Sequence, residues 1–322
     1  MRRTSFLSGL KRQAERLLKA LAAAAMTLSA AQAQPQAQPQ PRPQPAPRAA
    51  PAPVVRIARP ALWRVRDEDT TIYLFGTIHA LPANLHWHTP ALDRALGGAR
   101  EIVMEVSPAD LNAGALQAMQ TLGLAHDLPP ILDRVPADRR ARLSQLIARS
   151  GLPPQVFDRL KTWAAAIALI SAGFQRMGLA SERGIESSLA AAAGDRPATG
   201  LETAREQLGY LDSLSEDSQR ALLVSATDDD SQGRAEFDAM LGAWSHGDVD
   251  AIARTFNTDE TMTPELRRVL LTQRNTRWAG WIQSRLARPG TIFVAVGAGH
   301  LAGEGSVIAD LEARGLHVDR VQ

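Results

Sequence analysis

Two histidines follow apolar, strand-like segments in the same local pattern. Gly76-Thr77-Ile78-His79 comes after Thr71–Phe75, and Gly297-Ala298-Gly299-His300 comes after Thr291–Val296. Glycine lets a chain turn sharply or approach a ligand closely where a strand ends, so both motifs have a structural reason for their first residue. A single histidine in such a place is ordinarily hydrogen-bonded to a backbone carbonyl, but the repeated Gly-x-x-His favours two related half-sites.

Two glutamates, Glu105 and Glu202, also lie at or near the carboxyl ends of β-prone runs. In an open α/β sheet the ligand crevice lies outside the carboxyl ends of the strands, so we expect both to meet His79 and His300 there. Two imidazoles and two carboxylates suit Mn, Fe, Co or Zn. Such an ion lowers the pKa of its bound water and polarises a carbonyl, which predicts metal-dependent hydrolysis. The alternative is an ordinary surface position; Glu202 in particular precedes a predicted helix whose positive end would stabilise a carboxylate.

Other hydrolytic chemistries find less support. The chain has no cysteine, which excludes a thiol nucleophile, a Cys-ligated zinc site and a disulfide framework. It also lacks the G-x-S-x-G elbow of serine hydrolases. Metal-free ester cleavage with a histidine base stays open. Arg274-Asn275, on a predicted helix, is either a solvated pair or a group that orients a substrate carboxylate or carbonyl.

The second motif also fits a nucleotide-binding loop. Gly297-Ala298-Gly299-His300-Leu301-Ala302 matches G-x-G-x-x-G/A, and Asp319 lies twenty residues beyond Gly299, as a dinucleotide site would require. A nucleotide-binding fold needs further strand and helix units, which only earlier segments could supply. We therefore favour the interpretation of this segment as a Gly-x-x-His half-site.

Hydrophobic patterning predicts the elements that must position these residues. The predicted strands are Ala61–Val65 and Thr71–Phe75, which form a hairpin, and then Glu101–Val106, Arg196–Glu202, Thr291–Val296 and Leu316–Val321. The predicted helices cover residues 90–97, 138–149, 155–177, 186–193, 264–286 and 305–314. Strands alternate with helices at both ends, which predicts an α/β fold with a mixed sheet built from N- and C-terminal segments around a central helical insertion.

The N-terminal segment predicts export. Residues 1–33 combine a basic region through Lys19, a short apolar run and Ala31-Gln32-Ala33, the pattern of a cleaved signal peptide. The apolar run is too short to span a bilayer, so we expect no transmembrane anchor after cleavage. Residues 34–53 hold eight of the 20 prolines and predict an extended linker, leaving residues 54–322 as the folded domain. The protein is expected to be periplasmic or secreted; an amphipathic helix of a cytosolic protein is the alternative.

Charge argues against nucleic acid as a partner. Residues 1–53 hold eight of the 36 Lys and Arg residues but one of the 34 Asp and Glu residues, so residues 54–322 hold 28 basic and 33 acidic side chains. The pI of about 9.4 therefore reflects the leader. A slightly acidic domain has no electrostatic attraction for a phosphate backbone.

The motifs together resemble the TraB/GumN family, which includes the pheromone-shutdown proteins and the TIKI metalloproteases. The resemblance runs in order through Leu62–Val65, Tyr73–His79, Glu105, Lys161–Trp163, Gly184–Glu186, Gly200–Thr203, Arg274-Asn275 and Val296–Gly303. It implies a divalent-metal-dependent peptidase in which His79 and His300 bind the ion and Glu105 is the acidic partner. The family pattern has Gly-Ile-Asp where this chain has Gly-Ile-Glu186, which keeps the charge and lengthens the side chain.

The sequence thus predicts an exported hydrolase, dependent on Mn, Co, Fe or Zn, that acts on a peptide or other small substrate. His79, His300 and Glu105 are the expected metal ligands. Glu105 and Glu202 complete the shell or act as general base, and Arg274 orients the substrate. A non-catalytic protein that binds a peptide or small ligand in the same cleft is the alternative.

Overall fold

The computed structural model describes residues 56–82, 84–125, 127–179, 184–258 and 262–322. The predicted signal peptide and linker, residues 1–53, lie outside the described residues. The described part is a mixed α/β fold, as the sequence predicts.

The strands are β1 (Arg56–Ile57), β2 (Leu62–Arg66), β3 (Thr70–Thr77), β4 (Leu85–His86), β5 (Glu101–Val106), β6 (Ala198–Glu202), β7 (Gly290–Gly297) and β8 (Val318–Arg320). The α-helices are α1 (Pro90–Gly98), α2 (Pro108–Leu122), α3 (Arg140–Arg149), α4 (Pro154–Asp158), α5 (Thr162–Arg176), α6 (Ile185–Ala193), α7 (Ala204–Asp212), α8 (Glu216–Ser225), α9 (Asp230–Ser245), α10 (Val249–Thr258), α11 (Pro264–Arg267), α12 (Gln273–Leu286) and α13 (Val307–Ala313). Short 3₁₀ turns cover Ile131–Arg134, Ala137–Arg139 and Ala298–Leu301, and a π-helical segment covers Arg268–Thr272.

The larger sheet has the strand order β6-β5-β7-β3-β2-β8. Its four consecutive strands β6, β5, β7 and β3 are parallel, whereas β2 is antiparallel to both β3 and β8. The predicted hairpin is therefore β2 and β3. Because the four parallel strands point the same way, their carboxyl ends lie along one edge of the sheet.

Helices cover both faces of this sheet. On one face Phe75 and Phe293 pack against Leu92 and Trp244, which come from α1 and α9. On the other face, Ile72, Ile292 and Val294 pack against Trp278 and Ile282 of α12. Burial on both sides explains why β3 and β7 are nearly continuous apolar runs.

Helices α2 to α5, which lie between β5 and β6, form with Leu223 of α8 a separate apolar cluster around Trp163 and Phe157. The single helix predicted for residues 155–177 is wrong: α4 ends at Asp158, and α5 begins at Thr162. The buried Arg134 accounts for the break, because its guanidinium donates hydrogen bonds to the carbonyl oxygens of Asp158 and Leu160 at 2.9 and 2.6 Å. Those carbonyls are thereby turned away from a continuous helical ladder.

The predicted helix 264–286 contains a π-helical segment, Arg268–Thr272, just before the Arg274-Asn275 pair. Such segments carry an extra residue per turn and are frequent at functional sites. Beyond it, Arg274, Asn275 and Trp278 are all buried on the side of α12 that faces the sheet edge. No helix within the described ranges is long and apolar enough to cross a membrane.

Candidate functional site

The two Gly-x-x-His motifs lie side by side at the carboxyl edge of the sheet. β3 and β7 are neighbours in parallel register, with Thr77 opposite Gly297. The two strand ends touch, since a Cβ at Gly76 would lie 3.0 Å from the Cα of Ala298. A Cβ at Gly297 would lie 3.2 Å from the Oε1 of Glu105. The glycines thus permit a close approach of backbone and side chains at this edge.

Glu105 reaches the same edge from β5, the other neighbour of β7. Its Oε1 accepts the backbone N–H of Gly297 at 2.8 Å. Its Oε2 accepts Arg274 Nη2 at 2.7 Å and Gln207 Nε2 at 2.9 Å. Burial favours the neutral acid, but the charges of Arg274 and of the two motif histidines, with the Gly297 hydrogen bond, lower the pKa of Glu105 to about 2. Glu105 is therefore a firmly held carboxylate at neutral pH.

Arg274 lies at the centre of the site, buried between the acidic groups and a motif histidine. Its Nε donates to Glu202 at 3.2 Å, and its Nη2 donates to both Glu105 and Glu202. Its Nη1 donates to the Leu270 carbonyl at 3.1 Å and lies 3.2 Å from His300 Nε2. A guanidinium has five N–H groups, so these contacts use all of its donors.

His300 is buried and held in one orientation. Its Nδ1 lies 2.6 Å from Asn275 Oδ1, while its Nε2 faces Arg274. Because a guanidinium can only donate, we assign the ring proton to Nδ1, where it bonds the Asn275 oxygen. Burial lowers the pKa of His300 to about 4 despite the opposing charge of Glu105, whose Oε1 lies 3.7 Å from Nε2. His300 is thus a neutral imidazole at pH 7, packed against the Trp278 ring.

His79 has the opposite character. Its side chain is 76% exposed, and its Nδ1 lies 2.9 Å from Glu186 Oε1. The charge of Glu186 raises the pKa of His79 to about 9, so this imidazole is protonated at neutral pH. The start of α6 brings Glu186 there, since the Ile185 N–H bonds the Ile78 carbonyl at 3.3 Å. The Gly-Ile-Glu segment is therefore the partner of the first motif histidine.

Glu202 is fully buried beneath the site. One of its oxygens accepts a hydrogen bond from Arg274 Nη2, and the other accepts one from Arg277 Nη2 at 2.7 Å. Gln207 Nε2 adds a contact at 3.3 Å. With no exposed surface, this carboxylate acts on the site through the arginines it holds.

Sequence reasoning missed three residues around Glu202: Gln207, Tyr210 and Arg277. Arg277 is 43% exposed, donates to the Tyr210 hydroxyl and lies over its ring at 5.4 Å from the centroid. Helical spacing could have found them, because Arg277 is one turn beyond Arg274 on α12. Likewise, Gln207 is one turn beyond Thr203, the capping-box residue of α7.

Asp319, the acidic residue of the nucleotide-loop interpretation, lies on β8 and pairs with Arg64 at 2.8 Å. Two strands, β3 and β2, separate β8 from β7. In a dinucleotide fold this acid must reach the ribose beside the glycine loop. The arrangement therefore does not assemble such a site from Gly297 and Asp319.

The expected metal ligands do not form a ligand set in this arrangement. Among the described residues, no group of three or more His, Asp or Glu side chains is placed to hold a metal ion. Arg274 lies against both Glu105 and His300, and Glu186 pairs with His79. A bound ion needs its nitrogen and oxygen ligands at about 2.0–2.2 Å, so the guanidinium would have to move.

Comparison with known proteins gives relatives across most of the chain. The model of the TraB/PrgY/gumN family matches residues 61–320. The uncharacterised protein YbaP of Escherichia coli (strain K12) is 27% identical over 239 residues, covering 73% of this chain and 85% of that protein. An uncharacterised protein of Treponema pallidum (strain Nichols) is 26% identical over 272 residues, covering 79% of this chain and 80% of that protein. No solved structure matches the chain.

Proposed function

The chain belongs to the TraB/PrgY/gumN family, and we propose that it is a hydrolase working at the sheet edge where its two Gly-x-x-His motifs meet. The observation that carries this proposal is the parallel register of β3 and β7, which brings both motif ends and Glu105 together. Ligand crevices in open α/β sheets lie at this edge. The cluster also joins an exposed imidazole to buried, oriented polar groups, as catalytic sites do.

The protonation states of His79 and Glu105 support acid and base roles. Pairs of titratable groups whose environments push their pKa values apart mark acid and base assignments. In the proposed reaction His79, which is exposed and protonated, gives a proton to the leaving group. Glu105 Oε1 accepts the Gly297 N–H and has a second lone pair, which accepts the proton of an attacking water in the proposed reaction. As the water oxygen bonds to the carbonyl carbon, the bond from that carbon to the leaving nitrogen or oxygen breaks and the leaving atom takes the proton of His79. The products are a carboxylic acid and an amine or alcohol, and the proton held by Glu105 restores His79 for the next turnover.

A peptide is the proposed substrate class, on the strength of the motif resemblance. The same resemblance suggests Mn, Co, Fe or Zn at His79, His300 and Glu105. The residues as arranged do not fit such an ion, and no step of the proposed reaction passes through one.

We also propose that the protein works in the periplasm or outside the cell. The support is the signal-like pattern of residues 1–33. Terminal sequencing of the mature protein should find a start near Gln34. Recovery of a cytoplasmic chain that still begins at Met1 would exclude export.

A non-catalytic binding protein is the second candidate, favoured by one observation. All five N–H groups of Arg274 and both oxygens of Glu105 already have partners, which is also how a purely structural polar network is built. Under this alternative, peptides bind in the crevice and leave unchanged.

An incubation of purified protein with a mixture of peptides and acyl esters distinguishes the hydrolase from the binding protein. Mass spectrometry should detect cleavage, and His79→Gln should slow it by about 10²- to 10⁴-fold, the usual contribution of a general acid. His88→Gln is the matched control, since His88 is a partly exposed histidine paired with Asp93. Saturable binding of intact peptides without cleavage would support the binding protein; neither cleavage nor binding would count against both.

A further inference from the structure

Arg274 lies between the acidic groups of this site and His300. The acceptors around its guanidinium are two carboxylates, a neutral imidazole and one backbone carbonyl. Three of these groups, Glu105, Glu202 and His300, belong to the set that the sequence assigns to metal chemistry. We propose that Arg274 is the resident cation of the site, and that the native chain binds no divalent metal there.

The charges of the cluster support this assignment. Arg274 and Arg277 face Glu105 and Glu202, so two cations balance two anions. His79 and Glu186 form a further balanced pair. A divalent ion added beside Arg274 would meet a like charge at short range in a poorly hydrated place, where repulsion is strong.

The contacts of Arg274 also make it difficult to displace. Every N–H has an acceptor, and the guanidinium lies over the Trp278 ring at 4.7 Å from the centroid. Displacement would strip five hydrogen bonds and a cation–π contact at once. The π-helical segment just before it contributes one of these contacts, because Leu270, whose carbonyl accepts Arg274 Nη1, lies in that segment.

Removing the guanidinium should create the site that the native chain lacks. Arg274→Ala leaves a small space bounded by Glu105, Glu202 and His300, an anionic nitrogen and oxygen set suited to Mn or Zn. The imidazole is already prepared for such a role, because Asn275 holds its Nδ1 proton and leaves Nε2 as an acceptor. Arg274→Lys should not gain an ion, since the ammonium keeps the charge.

The test is titration of metal-free protein with MnCl₂ and with ZnCl₂, followed by calorimetry and by thermal unfolding. We expect native protein and Arg274→Lys to take up no ion at this site. Arg274→Ala should take up one equivalent, and its Tm should rise by about 5 °C or more at a metal concentration about 100-fold above Kd. Arg274→Ala combined with Glu105→Gln should lose this uptake. Arg277→Ala is the matched control, because it removes an arginine from Glu202 while Arg274 stays in place.

One equivalent of Mn or Zn bound by the native chain, and lost in Glu105→Gln or His300→Ala, would overturn the proposal. So would an Arg274→Ala protein that folds but gains no ion. If Arg274→Ala does not fold without metal, the native titration alone still decides the question. None of these readouts requires hydrolysis, so the proposal stands or falls separately from the proposed enzymatic function.

Discussion

Asn275 Oδ1 lies 2.6 Å from His300 Nδ1, and this contact sets which nitrogen of the buried imidazole carries the proton. The amide is itself oriented, because its Nδ2 donates to the Gly305 carbonyl at 2.7 Å. Two neighbouring residues of α12 therefore bind the two nitrogens of the same ring: Arg274 contacts Nε2 and Asn275 contacts Nδ1. The Nδ1 tautomer follows from these two contacts, whereas the neutral state follows from burial of the ring and from the charge of Arg274.

Replacing Asn275 by Asp should raise the pKa of His300. The native pKa is about 4, and a carboxylate at Nδ1 would favour the imidazolium by about 1–3 units. Nitrogen and carbon NMR of labelled histidine, followed from pH 3 to 8, measures this directly. Asn275→Gln, which keeps a neutral amide, is the control. An unchanged pKa of His300 in Asn275→Asp would show that residue 275 does not contact Nδ1 of the ring.

The stability of the protein should depend on both motif histidines, with opposite signs. The folded pKa of His79 is raised to about 9, so its contribution is complete below pH 6.5 and is lost as pH rises through 9. The folded pKa of His300 is lowered to about 4, so its contribution is present above pH 6.5 and is lost as pH falls toward 4. Urea unfolding at a series of pH values should therefore show its highest midpoint near pH 6.5.

His79→Gln should remove only the alkaline part of that dependence. The variant lacks the group whose proton is released on passing pH 9, while His300 keeps the acidic part intact. Loss of the acidic part in His79→Gln, with the alkaline part unchanged, would contradict the assignment of the two pKa values.

The sequence predicted more of the sheet than of the site. Strand β3, the strand that carries Glu105 and the strand that leads to His300 follow from apolar patterning, because these strands are buried on both faces. The pairing of the two motifs needed the register of β3 and β7, which a sequence pattern does not contain. Arg274 was expected to orient substrate, yet its donors are all engaged within the protein. Such long-range polar contacts depend on packing between distant elements and leave no local signal.

Glu186→Gln should change the proton affinity of His79 without unfolding the site. The amide removes the charge that raises the pKa of His79, so that pKa should fall from about 9 toward the ordinary value of 6.5. Histidine NMR measures the shift. If His79 is the general acid, the hydrolytic activity of Glu186→Gln should also be lost at a lower pH than that of the native protein, because His79 gives up its proton at a lower pH.

Glu186→Asp tests whether the carboxylate or its reach matters. Aspartate keeps the charge and gives the Gly-Ile-Asp pattern. We therefore expect the pKa of His79 in Glu186→Asp to stay well above the pKa of His79 in Glu186→Gln. An aspartate variant that matches the glutamine variant would mean that the longer side chain is needed to reach Nδ1, 2.9 Å from Glu186 in the native chain.

Gly76→Ala should destabilise the domain by forcing apart the two strand ends. The added Cβ would lie 3.0 Å from the Cα and 3.1 Å from the Cβ of Ala298, and backbone cannot give way as a flexible side chain can. Overpacking of this kind costs about 1–3 kcal/mol. Gly98→Ala is the matched control, since a Cβ there would meet nothing within 4 Å. Urea unfolding should give a lower midpoint for Gly76→Ala and an unchanged or higher one for Gly98→Ala. Equal midpoints for the two variants would mean that the Gly-x-x-His ends do not approach each other as closely as the register of β3 and β7 requires.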